Sequence, residues 1–218
     1  MKIGVFDSGA GGLSVARAIQ NSLPEHEIIF RNDETHVPYG TRTVDEINGF
    51  TEPILRAMVD AGCRVIVVAC NSVTTNLIEG LRRQIPIPLV GMEPMVKPAA
   101  ETTISKVIAV FATPLTLTSQ RYQWLKANYA SGITVLEPNC SDWTQMIEDN
   151  KLDREKIGGT VEDICSKRAD RIVLGCTHFH WIEELIQQQA GDRAKVLQSE
   201  QPVIEQLKRV LTQLPQPH

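Results

Sequence analysis

Nowhere in the 218 residues does an uninterrupted apolar run approach the roughly 18 residues of a membrane-spanning helix. Long basic runs are missing too, and the formal net charge is −4. Both features argue against nucleic acid or an anionic membrane as the main partner. The cysteines Cys63, Cys70, Cys140, Cys165 and Cys176 form no C-x-x-C pair, which excludes a zinc knuckle and a thioredoxin-type motif. No lysine stands in a motif for a pyridoxal Schiff base and no metal-ligand spacing occurs, so any chemistry is expected to run without cofactor or metal. MKIGVFD reaches Asp7 after four apolar or glycine positions, too few for the apolar region of a signal peptide. A cytoplasmic protein with reduced thiols is the expectation.

The segment Val65–Asn76, VIVVACNSVTTN, is the most informative stretch. Its apolar run predicts a strand buried on both faces, and Asn71, Ser72, Thr74 and Thr75 are residue types that open helices. Cys70 then stands at the carboxyl end of a core strand, the edge where open α/β sheets bind ligands. Taken alone, a free cysteine there is more simply a packed one.

The same grammar recurs along the chain. Lys2–Phe6 reads as a strand, Asp7–Gly12 as a glycine-rich turn and Leu13–Leu23 as a helix. A dinucleotide fingerprint counted from Gly9 needs glycine at position 14, which is Ser14. Glu27–Phe30 is a strand, followed by a polar loop carrying Asp33, Pro38, Tyr39 and Gly40. Val44–Asp60 and Val73–Arg83 have helical periods, Pro86–Val90 reads as a strand, and Met92–Ala100 reads as a connector rich in glycine and proline nearby. Further strands fall at Ile108–Ala112, Thr134–Leu136, Arg171–Gly175 and Ala194–Leu197. Helices are expected at Thr118–Tyr129, Asp142–Asn150, Glu155–Lys167, Trp181–Ala190 and Pro202–Leu214. Strands alternating with helices imply mostly parallel sheets.

Ile108–Ala112 matches Ile3–Asp7 at an offset of 105 residues, and RIVLGCTH brings Cys176 an offset of 106 residues from Cys70. Two matches at nearly one offset predict an internal duplication. The fold class expected is α/β, with two similar pseudo-two-fold-related domains, each a mostly parallel sheet flanked by helices, and a site in the cleft between them. The boundaries drawn are 1–95 plus 200–218 for the Cys70 half and 96–199 for the Cys176 half. A thiol on each side of a cleft suits inversion of a stereogenic carbon, one thiolate removing a proton while the opposing thiol delivers one.

IGVFDSGAGGLSV, DETHVPYG, VVACNSVT, VGMEPMVKPA, ATPLTLTSQRY and VLGCTHFHWI resemble, in order, segments of the glutamate racemase family within the aspartate/glutamate racemase superfamily. The resemblance implies a cofactor-independent racemase interconverting L- and D-glutamate for peptidoglycan supply, and hence for cell-wall biogenesis and cell shape. It implies that Cys70 and Cys176 are the acid/base thiols, that Asp7 and His178 support them, and that Glu148 is a further acidic site residue. Ser8, Pro38, Tyr39, Gly40, Asn71, Ser72, Thr74 and Thr177 would hold the substrate's ammonium and carboxylate groups. A homodimer is compatible with it. The alternatives are a racemase of another small amino acid such as aspartate, or an inactive ligand-binding homologue. The chain departs from the family's usual pattern at Ser72, Ser141, His180 and Gln198, and its stretch between Cys140 and Cys176 is short.

Overall fold

Strands apolar on both faces and linked by helices need a parallel sheet covered on both sides, and the chain builds two of them. The computed structural model describes residues 1–215; the end of the expected 200–218 segment, residues 216–218, lies outside the described residues. The first half contains β1 (Lys2–Asp7), α1 (Gly12–Ser22), β2 (Glu27–Asn32), α2 (Val44–Asp60), β3 (Cys63–Val68), α3 (Asn71–Gln84) and β4 (Leu89–Gly91). The second contains α4 (Val96–Thr102), β5 (Val107–Ala112), α5 (Pro114–Thr118), α6 (Gln120–Tyr129), β6 (Thr134–Leu136), α7 (Trp143–Glu148), α8 (Arg154–Ser166), β7 (Arg171–Gly175), α9 (Glu183–Ala190) and β8 (Lys195–Leu197). The closing helix α10 (Glu200–Gln213) follows.

The sheet orders are β2-β1-β3-β4 and β6-β5-β7-β8, all pairs parallel. Strand for strand, the second order repeats the first, in agreement with the repeat in the sequence. Alternate residues of each central strand enter different cores, as a period of two requires. Ile3, Val5, Val65 and Val67 meet α1 and α10 on one face, while Phe6, Ile66 and Val68 meet α2 and α3 on the other. In the second sheet Ala109, Phe111, Ile172 and Leu174 face α8 and α9; Ile108, Val110 and Val173 face α4 and α6. Through Val203, Ile204, Leu207 and Leu211, α10 returns to the first sheet.

Several boundaries differ from the sequence reading, each for a local reason. Met92–Ala100 is not only a connector, because α4 begins at Val96; Pro98 falls in its first turn, where amide protons lack helical partners anyway. The strand expected over Pro86–Val90 is confined to Leu89–Gly91, since Pro86 and Pro88 have no N–H to give. The helix expected over Thr118–Tyr129 breaks at Ser119, whose hydroxyl caps α6 by accepting the Tyr122 N–H and donates to the Thr116 carbonyl. Ahead of α9, residues Thr177–Ile182 form a 3-10 turn. Among the described residues no helix is long and apolar enough to cross a membrane.

Candidate active site

The carboxyl ends of four central strands, two from each sheet, supply the site. β1 delivers Asp7 and Ser8, β3 leads through Ala69 to Cys70, β5 ends before Thr113, and β7 ends before Cys176. Ser8, Tyr39, Gly40, Cys70, Asn71, Ser72, Thr113, Thr144, Cys176, Thr177 and His178 surround one enclosed space of about 10 Å³, the room of about one water molecule. A groove of about 720 Å³ beside α3, β4 and α10 is far larger, but it lacks the thiols; chemistry, not volume, marks the site.

Cys70 precedes the first turn of α3 and is buried; its thiol donates to Ser8 Oγ at 3.4 Å. Burial, reinforced by the neighbouring Asp7 charge, pushes this thiol up to about 12. Cys176 opens the 3-10 turn, with Thr144 Oγ1 3.7 Å and His178 Nδ1 3.8 Å from its sulfur. On the far side of that ring, His178 Nε2 lies 2.5 Å from Glu148 Oε1, which also accepts the Ala10 N–H at 2.9 Å. Burial alone would lower His178; hydrogen bonds to Cys176 and Glu148 and the charges of Cys176 and Asp7 overcome it and raise it to about 10. The same hydrogen bond to His178 holds the Glu148 carboxyl below its usual range, against partial burial. An imidazolium therefore stands beside the second thiol at neutral pH.

Asp7 is fully buried. Oδ2 accepts the Thr177 hydroxyl across the seam at 2.9 Å, and Oδ1 has no hydrogen-bond partner among the described residues. Burial raises this carboxyl, opposed by the His178 charge, the Thr177 hydroxyl and the N–H groups of Ser8 and Gly12. The amide oxygen and nitrogen of Asn71, in the cavity wall, are buried and have no partner among the described residues. Ser72 Oγ sits 2.9 Å from Thr113 Oγ1 and 3.2 Å from Thr116 Oγ1. Tyr39 donates to Asp33 at 2.7 Å, so its hydroxyl is already engaged.

The glycine-rich turn after β1 has a packing role. A Cβ at Gly9 would lie 2.3 Å from Glu148 Oε1, and one at Gly11 2.6 Å from the His178 backbone nitrogen. The turn lies against the Cys176 half too closely for any side chain.

Of the residues named from sequence, Ser8, Tyr39, Gly40, Cys70, Asn71, Ser72, Cys176, Thr177 and His178 line the cavity. Asp7 and Glu148 stand behind it, joined to Thr177 and His178. The structure does not bring Pro38 or Thr74 to the cavity. Thr74 Oγ1 donates to the Val68 carbonyl at 3.0 Å and accepts the Met92 N–H at 3.1 Å, tying β3 to the chain beyond β4. Cys63, Cys140 and Cys165 are packed in the cores, and burial raises each of them. Sequence reasoning missed Thr113 and Thr144. Extending the repeat one residue past Asp7 and Ala112 pairs Ser8 with Thr113; Thr144, inside a polar helix, carried no such signal.

Residues 10–207 match the family described as Asp/Glu/Hydantoin racemase. The glutamate racemase of Herpetosiphon aurantiacus is 38% identical over 213 residues, spanning 96% of this chain and 84% of that protein. The crystal structure of Escherichia coli glutamate racemase in complex with L-glutamate and the activator UDP-MurNAc-ala is similar at TM-score 0.84 and 26% identity, covering 97% of this chain and 82% of that one. The Francisella tularensis glutamate racemase in complex with D-glutamate is similar at TM-score 0.79 and 25% identity, covering 100% and 84%.

Proposed function

The chain belongs to the Asp/Glu/hydantoin racemase family, among the glutamate racemases, and from that premise we propose that it interconverts L- and D-glutamate by two-thiol chemistry without a cofactor. Cys70 and Cys176 are the acid/base pair. The observation that carries the reading is that both thiols line one enclosed space from opposite halves, with the His178 ring beside only one of them. One half of the cleft is made by residues 1–95 with the described part of 200–218, which runs to Pro215, and the other by 96–199.

Cys70 is the proton donor at rest, since burial and Asp7 keep it a thiol. Cys176, facing the His178 cation, is the base. The Cα–H bond breaks, its electron pair stays on carbon, and the proton goes to the Cys176 sulfur. The Cys70 S–H proton then joins the opposite face of Cα, inverting it, and leaves Cys70 as thiolate. Glu148 holds His178, and Asp7 holds Thr177. Ser8, Asn71, Ser72, Thr113, Thr177 and the backbone around Tyr39–Gly40 hold the ammonium and carboxylate groups. The product supplies D-glutamate for peptidoglycan in the cytoplasm.

The test is deuterium exchange at Cα of L- and D-glutamate in heavy water, followed by proton NMR, with aspartate as a parallel substrate. The wild type is expected to exchange glutamate, and Cys70→Ser and Cys176→Ser each to lose racemisation by about 10³-fold or more. Absence of exchange with either glutamate enantiomer overturns the proposal; exchange with aspartate alone reassigns the substrate.

A further inference from the structure

Each cavity thiol touches one hydroxyl, Ser8 for Cys70 and Thr144 for Cys176. The two hydroxyls have different origins. Ser8 follows β1, and the repeat places Thr113 at the corresponding end of β5. Thr113, however, is committed to Ser72 and Thr116, at 2.9 and 3.1 Å. Thr144, buried in the first turn of α7, faces Cys176 instead. Among the described residues its hydroxyl has no other hydrogen-bond partner than that sulfur. Four residues on, Glu148 ends α7 and holds His178. One helical turn thus presents both a hydroxyl toward the thiol and a carboxylate toward the histidine beside it.

We infer that Thr144 is a catalytic residue, its hydroxyl donating a hydrogen bond to the Cys176 thiolate that removes the Cα proton. This rests on the two-thiol reading. A hydroxyl donates to a thiolate, and after rotation it accepts from a thiol. Thr144 therefore follows the sulfur through both states: the proton leaving Cα ends on Cys176, the proton reaching Cα comes from Cys70, and Thr144 keeps its own throughout. The titratable groups facing Cys176 are His178 on its own turn, Cys140 ahead of α7, Cys70 across the cavity, and behind these Asp7 and Glu148. Thr144 differs from all of them in carrying no titratable proton at working pH.

Thr144→Val keeps the shape and removes the hydroxyl; Thr144→Ser keeps the hydroxyl. Two quantities are measured against pH: kcat/KM, and the rate of Cys176 alkylation by iodoacetamide, read by mass spectrometry of its peptide. Thr144→Val is expected to lower kcat/KM about tenfold and to move the acid limb of both profiles up by about one pH unit. Thr144→Ser is expected to return both to near wild type. Coincidence of Thr144→Val with wild type in both profiles overturns the inference. Cys176→Ser is assayed alongside: if it races at the wild-type rate, the two-thiol reading fails, and if it is dead while Thr144→Val is unaltered, only the role of Thr144 fails.

Discussion

His178 Nε2 sits 2.5 Å from Glu148 Oε1, on the ring edge opposite Cys176. The carboxylate fixes which edge of the imidazole meets the sulfur and keeps the ring charged. A single oxygen of Glu148 also receives the Ala10 N–H from the other half, so the charge state of the site and the contact between halves are one arrangement.

Glu148→Gln accordingly destabilises the fold in a pH-dependent way. His178, raised from 6.5 to about 10, contributes stability that is complete below 6.5 and lost as pH climbs through about 10. Glu148, held below 4.5, contributes stability present above 4.5 and lost as pH falls through its lowered value. Urea unfolding of wild type and Glu148→Gln is expected to differ most between those windows, near pH 5.5, by about 2 kcal/mol, with the gap closing toward pH 10. A gap independent of pH contradicts the charge-state account.

Gly11→Ala tests the seam. Its Cβ would meet backbone, which has little room to yield, and a loss of about 1–3 kcal/mol is expected together with lower activity. Gly49→Ala, in α2 with open space around the Cβ position, is expected to be neutral or stabilising by up to about 1 kcal/mol. Thermal melts of the two variants make the comparison.

Asn71 offers the reverse trade. Its amide has no partner among the described residues, so Asn71→Ala removes no hydrogen bond seen there and is expected to leave the melting temperature unchanged or higher. KM for glutamate is expected to rise about tenfold or more as a substrate contact disappears. A destabilised variant with unchanged KM reverses the assignment.

What the sequence made legible was whatever lay within one strand and its first loop. The apolar run before Cys70, its echo before Cys176 and the helical period of α2 are local signals, and the repeat offset joined two of them across the molecule. Glu148 was reached only through family resemblance, because its partners are Ala10, 138 residues away, and His178, 30 residues away. Thr144 was invisible for the same reason, since its meaning comes from a sulfur on another element. Thr74, given a substrate contact only through the resemblance, spends its hydroxyl instead on Val68 and Met92. α4 was hidden by Pro98, a residue that excludes a helix interior but not its first turn.

The unequal surroundings of the two thiols reach beyond the chemical step. L- and D-glutamate have the same free energy in water, so no protein can favour one direction in kcat/KM; the imbalance between Cys70 and Cys176 has to appear elsewhere. It appears in the free enzyme. On the proposed reaction, a turnover that begins with a Cys70 thiol and a Cys176 thiolate releases product from a protein whose protons sit the other way round, the less stable arrangement. Before the next molecule of the same hand can react, the enzyme must reset itself, and that reset is a kinetic step of its own, visible as curvature in progress curves when product is abundant.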